Sequence, residues 1–173
     1  MEKLIDTLLY FVPALLVLGA VYMALKKFLD NEYKLRLLDM KHTSRKEILP
    51  LRFQAYERMC LFLERISPNS LIIRTHTPGM NSRQLHTELL LAIRTEFEHN
   101  LSQQVYISSK AWEMCKNAKE DTVKIINLAG SSLTDSSSGA ELSKTIFEIM
   151  IKNEKIPTQK ALEFIKNEAR QLY

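Results

Sequence analysis

Glycine and cysteine are both scarce in this chain of 173 residues, which contains four glycines and two cysteines. The glycines do not cluster, so the glycine-rich loops that cradle phosphates in nucleotide-binding folds are excluded. Neither cysteine belongs to a Cys-x-x-Cys motif or stands near histidines at the spacing of zinc ligands. Cys60 and Cys115 each lie within an apolar helical pattern and are therefore predicted to be buried free thiols, with a disulfide as the alternative.

Charge is absent from residues 8–25. Eighteen helical residues rise about 27 Å, close to the ~30 Å thickness of the hydrocarbon core of a bilayer. Tyr10 and Tyr22 lie near opposite ends of the run, where aromatic rings favour the headgroup layer. The run exceeds the apolar region of a signal peptide, and no small-x-small cleavage site precedes Lys26. The sequence therefore predicts an uncleaved transmembrane anchor over residues 1–25, with a buried core helix as the alternative.

Basic residues follow the uncharged run and hardly precede it, since Lys3 alone stands before it. Lysine and arginine are retained on the cytoplasmic side, so we expect a single-pass protein of the bacterial inner membrane. We expect its N-terminus outside and its C-terminal domain in the cytoplasm. Lys26 and Lys27 are predicted at the membrane interface together with Tyr10 and Tyr22, which makes the lipid bilayer the first expected partner. The basic residues after the run are Lys26, Lys27, Lys34, Arg36, Lys41, Arg45 and Lys46.

The remaining chain divides into a charged stalk over residues 26–47 and a domain over residues 48–173. The stalk is predicted to end or kink between Ser44, which begins a capping-box pattern, and Pro50, which lacks an amide donor. A basic stripe with interleaved aromatic residues is missing from the domain, which argues against nucleic acid as a partner.

Apolar residues at steps of three and four predict an all-α fold, in which a transmembrane helix and a charged stalk helix precede a four- to five-helix cytoplasmic bundle. Asn81 with Gln84, and Ser138 with Glu141, are capping-box pairs that mark two helix starts. Residues 71–73 and 105–107 are short β-prone runs, and one hypothesis pairs them as a two-stranded ladder. The clearest helical stripe is Leu85, Leu89, Ile93, Phe97 and Leu101.

Candidate site residues are few. Glu96 and His99 have the Glu-x-x-His spacing of carboxylate-bridged metal centres, which makes them candidate metal ligands, but a second such pair is missing from the sequence. Tyr56, Arg94, Glu98 and His99 are the residues from which a polar cluster could be built. The pattern lacks an assembled catalytic constellation, so we predict no catalytic residues and no cofactor, and an enzyme is disfavoured.

The segments LPLRFQAYERMCLFLERISP, EFEHNLSQQVYISSKAWEMCKNAKEDTVKIIN and ALEFIKNEARQL resemble an uncharacterised family of small membrane-anchored proteins from bacteria of the Bacteroidota type. The resemblance covers nearly the whole chain. It implies a cytoplasmic-membrane protein with a helical domain, and it supplies no activity and no site.

Three functions follow from these observations as hypotheses. The first is a membrane-anchored interaction or scaffold module that binds a protein partner or associates with itself, for which Ala20 and Ala24 form a small-xxx-small pair. The second is a tethered enzyme or small-ligand sensor with a pocket between its helices. The third is a module that binds anionic lipid surfaces through the basic stalk.

Overall fold

The structure, a computed structural model, describes residues 2–152 and 156–172, apart from the side chains of residues 2–10, 12, 14 and 41–45. These ranges form six α-helices and one 3-10 helix, which agrees with the prediction of an all-helical protein. The chain divides into two compact units, Met1–Ile48 and Leu49–Tyr173. The elements are α1 (Glu2–Ile66), α2 (Pro68–Thr75), α3 (Ser82–His99), the 3-10 helix (Leu101–Val105), α4 (Ser109–Ser131), α5 (Gly139–Lys152) and α6 (Gln159–Arg170).

The prediction of a transmembrane anchor, which falls in the first unit, is wrong for the described residues. Among the residues that the structure describes, every helix is too short or too polar to cross a membrane. Within the predicted span, the side chains of residues 8–10, 12 and 14 lie outside the described residues. The predicted single-pass localisation in the inner membrane is corrected with it.

The helix α1 runs without interruption through residues 44–50, so the predicted helix end in this stretch is wrong. A proline inside a helix removes one backbone hydrogen bond, and the residues on both sides of Pro50 are nevertheless helical. The capping role predicted for Ser44 falls on a side chain outside the described residues. The division into residues 1–25, 26–47 and 48–173 stays a prediction.

The last turns of α1 contribute large side chains to the core of the second unit. Tyr56, Met59, Phe62, Leu63 and Ile66 of this helix are fully or almost fully buried. The helices α3, α4 and α5 pack against one another, α2 packs against α3 and α5, and α6 packs against α4. Each large apolar side chain that is buried in this way contributes about 1.5–3 kcal/mol to folding, which makes the shared core the main source of stability.

The starts of α3 and α5 lie side by side. Both predicted capping boxes are confirmed, at Asn81 with Gln84 and at Ser138 with Glu141. An isolated antiparallel bridge joins Asn81 to Ser138. It is completed by a hydrogen bond of 2.9 Å from Gly139 N to Met80 O. These bonds satisfy backbone donors that helix starts leave unpaired. They hold the start of α5 against the connection between α2 and α3.

The predicted pairing of residues 71–73 with residues 105–107 is wrong. Residues 71–73 belong to α2, and Val105 ends the 3-10 helix. Pro68 is the first residue of α2, a position where a missing amide donor costs nothing. Leu71 and Ile72 point into the core from one face of α2, so burial favours the helix over the intrinsic β preference of isoleucine.

Candidate functional site

A groove lies between α2 and α5 on the second unit, and it is called the α2/α5 groove below. Its volume is about 610 Å³, and most of its lining is apolar. Clefts of roughly 300–1,000 Å³ with apolar walls and a few polar groups are typical of binding sites. The lining residues are Ile72, Ile73, His76, Ala140, Ser143, Lys144, Phe147, Glu148 and Ile151.

The side chains that α2 and α5 turn away from the core form the walls of the groove. On α2, Ile72 faces the core and is 6% exposed, whereas the next residue, Ile73, is 81% exposed. On α5, Phe147 and Ile151 are four residues apart and therefore share one face of the helix. Ile151 is 76% exposed. Two isoleucines thus stand almost fully in solvent on opposite walls, while Phe147, half-buried, lies between the walls and the core.

His76 lines the groove beside the first turn of α5. A methyl group added at Gly139 would lie 3.0 Å from Cδ2 and Nε2 of the His76 ring and 3.0 Å from the carbonyl oxygen of Met80. The absence of a side chain at Gly139 therefore allows the first turn of α5 to approach the imidazole closely. The ring places two nitrogen atoms, each able to donate or accept a hydrogen bond, beside an otherwise apolar surface.

The predicted metal ligands serve other purposes in the structure. Glu96 binds two arginines through the same oxygen, Oε1, which lies 2.7 Å from Nη2 of Arg65 and 3.2 Å from Nη1 of Arg74. His99 lies at the exposed end of α3. Within the described residues, no group of three or more histidine, cysteine, aspartate or glutamate side chains converges to hold a metal ion. The carboxylate of Glu96 ties α1, α2 and α3 together.

The residues of the predicted polar cluster lie apart: Arg94 and Glu98 are exposed on α3, and Tyr56 is buried in α1. Arg94 donates through Nε to Glu98 Oε1 at 2.8 Å, and both side chains are largely exposed on α3. The hydrogen bond and the charge of Glu98 raise the pKa of Arg94. Tyr56 is buried in α1, where its neighbours are Arg52, Ser108 and Glu168. The sequence spacing brings Arg94 and Glu98 together and leaves Tyr56 apart from them.

The residues predicted at a membrane interface belong to the first unit. Tyr22, Lys26 and Lys27 are exposed on α1, and the side chain of Tyr10 lies outside the described residues. In the second unit, both cysteines are free thiols, with Cys60 half-buried and Cys115 buried. Burial raises the pKa of Cys60, and it raises the pKa of Cys115 to about 12, so neither thiol is poised as a nucleophile.

The α2/α5 groove could not be predicted from the sequence because its two walls come from distant parts of the chain. The one local feature that bears on it is the run of three consecutive apolar residues at 71–73. A helix over these residues can bury only two of them, and Ile73 is the one left outside.

Comparison with known families now places the chain. A model of the family of unknown function DUF7935 matches residues 2–172. The chain belongs to this family. Curated proteins yield no match, and neither do solved structures. Membership in DUF7935 agrees with the resemblance to an uncharacterised family, while the bacterial origin stays a prediction.

Proposed function

We propose that the unit Leu49–Tyr173 is a protein-interaction module that binds an acidic amphipathic helix of a partner protein in the α2/α5 groove. The exposure of Ile73 and Ile151 on the two walls of one apolar groove carries this proposal. Exposed apolar surface around a concave site is typical of docking sites. Insertion of the apolar face of a helix into such a groove is a recurring mode of recognition between proteins.

The charges at the rim select an acidic occupant. Lys144 and Lys152 stand on α5, and His76 follows the end of α2, where Arg74 is held by Glu96. The acidic residue of the lining is Glu148, whose Oε1 lies 3.8 Å from Nζ of Lys144. Lys144 and Glu148 offset each other, and Lys152, which follows the lining residue Ile151, leaves the surroundings of the groove with a net positive charge. Carboxylates on the polar face of a partner helix complement it, and such complementarity increases the association rate and the specificity.

The rival functions have less support. A small-ligand site built from Tyr56, Arg94, Glu98 and His99 needs these groups around one cavity, whereas Arg94 pairs with Glu98 on the surface and Tyr56 is buried. The anionic-lipid alternative depends on the basic residues of the first unit and stays a prediction.

Fluorescence anisotropy with two synthetic helical peptides of about 18 residues tests the proposal. One peptide carries leucines on one face and glutamates on the other, and the second carries lysines in place of the glutamates. We expect the glutamate peptide to bind the purified full chain at least ~10-fold more tightly than the lysine peptide. The substitution Ile73→Asp is expected to weaken this binding by ~10-fold or more, because it places a charge in the apolar wall.

Leu128→Asp is the matched control, since Leu128 is also an exposed apolar residue but lies on α4 outside the groove. It should leave the affinity within about twofold of the original chain. Equal binding of both peptides, or equal effects of Ile73→Asp and Leu128→Asp, rejects the proposal. A dimer of the chain that Ile73→Asp dissociates also rejects it, because the occupant is then a second copy.

A further inference from the structure

A seam of mostly apolar residues runs along the part of α1 that forms the first unit. Its members recur at alternating steps of four and three over residues 17–38, which is the spacing of the a and d positions in the seven-residue repeat of a coiled coil. They are called the α1 seam below and are Val17, Val21, Ala24, Phe28, Asn31, Leu35 and Leu38.

The α1 seam is open to solvent. Its large apolar side chains, those of valine, phenylalanine and leucine, are between 51% and 64% exposed. A shallow depression of about 660 Å³ lies on the seam, and its lining includes Ala24, Lys27, Phe28 and Asn31. Four residues at this spacing form the hole that receives one side chain of a facing helix in a coiled coil. The small side chain of Ala24 leaves room in this hole for a large one.

The two flanks of the α1 seam carry opposite charges. Lys27 and Lys34 each precede an a position and stand on one flank, which is the g position of the repeat. Glu32 and Asp39 each follow a d position and stand on the other flank, which is the e position. Within its own helix, Oε2 of Glu32 lies 3.3 Å from Nη2 of Arg36, an exposed contact that stabilises weakly.

These charges complement a second copy of the same helix. In two parallel helices in register, a g residue faces the e residue five positions later in the other chain, so Lys27 faces Glu32 and Lys34 faces Asp39. Each of these ion pairs occurs twice about the two-fold axis of a homodimer. Antiparallel helices instead bring g residues against g residues, which places lysine against lysine.

We propose that the chain forms a parallel homodimer, in which the α1 seams of two copies pack together as a coiled coil over residues 17–38. Asn31 meets the Asn31 side chain of the second copy when the two helices are in register, and a single polar residue in such a seam favours that register. The α2/α5 groove belongs to the second unit and takes no part in this contact.

Sedimentation equilibrium of the full chain tests the proposal, and we expect twice the single-chain mass of 20.1 kDa. One variant combines Lys27→Glu with Lys34→Glu, and a second combines Glu32→Lys with Asp39→Lys. Each variant gives both flanks the same sign, so the dissociation constant of its homodimer should rise by ~10-fold or more. An equimolar mixture of the two variants should regain a dimer, because every facing pair then has opposite charges.

The matched control combines Lys26→Glu with Lys160→Glu, which changes the net charge as much as the first variant but at exposed positions outside the flanks. It should leave the dissociation constant within about twofold of the original value. A monomer across the whole concentration series overturns the proposal. A dimer that survives both charge reversals, or one that Ile73→Asp dissociates, also overturns it.

Thiol cross-linking tests the direction and register of the two helices. Ala24→Cys places two thiols opposite each other in a parallel dimer in register, whereas Tyr33→Cys places them on the outer faces of the two helices. We expect diamide to cross-link the Ala24→Cys chain at least ~10-fold faster than the Tyr33→Cys chain, with the original chain as the background from its own cysteines. Equal rates for the two variants overturn the parallel, in-register arrangement.

Discussion

Arg65 and Glu96 join the end of α1 to α3 through a contact of 2.7 Å between Nη2 and Oε1. Arg74 of α2 reaches the same oxygen at 3.2 Å and also donates through Nη2 to the carbonyl oxygen of Arg65 at 3.4 Å. The side chain of Glu96 is only 15% exposed, so water screens this carboxylate far less than a surface group. Three helices therefore depend on one acidic residue.

Replacement of Glu96 by glutamine tests this dependence. The amide keeps the shape of the side chain but leaves two guanidinium groups without their counter-charge, so we expect the free energy of unfolding to fall by about 1–3 kcal/mol. The control is Glu98→Gln, which breaks the exposed pair with Arg94 and should cost less than about 0.5 kcal/mol. Urea denaturation of the three chains measures both values, and equal losses contradict a special role for Glu96.

The helical faces and starts of the second unit could be predicted from the sequence. Leu85, Leu89 and Ile93 of the predicted stripe are buried, and the capping boxes at Asn81 and Ser138 form as expected. These features depend on residues three or four positions apart, which a helix brings onto one face whatever the rest of the chain does.

The candidate site could not be predicted in the same way. The spacing of Glu96 and His99 fixes a common helix face, but it carries no information on Arg65 and Arg74, which arrive from two other helices. Ile73 and Ile151 likewise meet at one groove only after α2 and α5 have packed. The short apolar run around Ile72 predicts a strand, but residues 71–73 belong to α2. The intrinsic β preference of so few residues is weaker than tertiary packing.

Because His86 lies against Gly130, the effect of Gly130→Ala on the free energy of unfolding should change sign when His86 is replaced by alanine. A methyl group added at Gly130 would lie 2.8 Å from Cδ2 of His86, whose Nε2 shares a hydrogen bond of 2.9 Å with Oδ1 of Asn127. Gly130→Ala must displace the ring, so we expect a net loss of about 1–2 kcal/mol despite the better helix propensity of alanine. Urea denaturation measures this loss.

The same substitution in a His86→Ala chain serves as the control. The space taken by the ring is then free, and Gly130→Ala should raise the free energy of unfolding by up to about 1 kcal/mol. A loss of similar size in both backgrounds means that the helix end, and not the imidazole, requires a glycine at this position.

The neighbouring residues Ile72 and Ile73 separate the core from the α2/α5 groove. Ile72→Ala creates a cavity in the core and is expected to cost about 2–3 kcal/mol, whereas Ile73→Ala, at a side chain that is 81% exposed, should cost less than about 0.5 kcal/mol. Thermal and urea denaturation measure both. A large loss for Ile73→Ala shows that this side chain is already covered in the free chain, which contradicts an open groove.

The thiol of Cys115 makes the free energy of unfolding depend on pH in the alkaline range. Burial, the largest cause, and the nearby Cys60 raise its pKa from 9.0 to about 12. Above pH 9 the unfolded chain loses the thiol proton while the folded chain retains it, so the unfolded state binds fewer protons and stability falls as the pH rises. The contribution of Cys115 is complete below pH 9 and is lost between about pH 9 and 12.

We expect the free energy of unfolding of the original chain to decline by about 1 kcal/mol per pH unit more than that of Cys115→Ala. Tyr56 and Cys60, whose pKa values are also raised, titrate in both chains, so the difference between the chains reports mainly on Cys115. Parallel curves for the two chains from pH 8 to 11 contradict a buried, protonated thiol at this position.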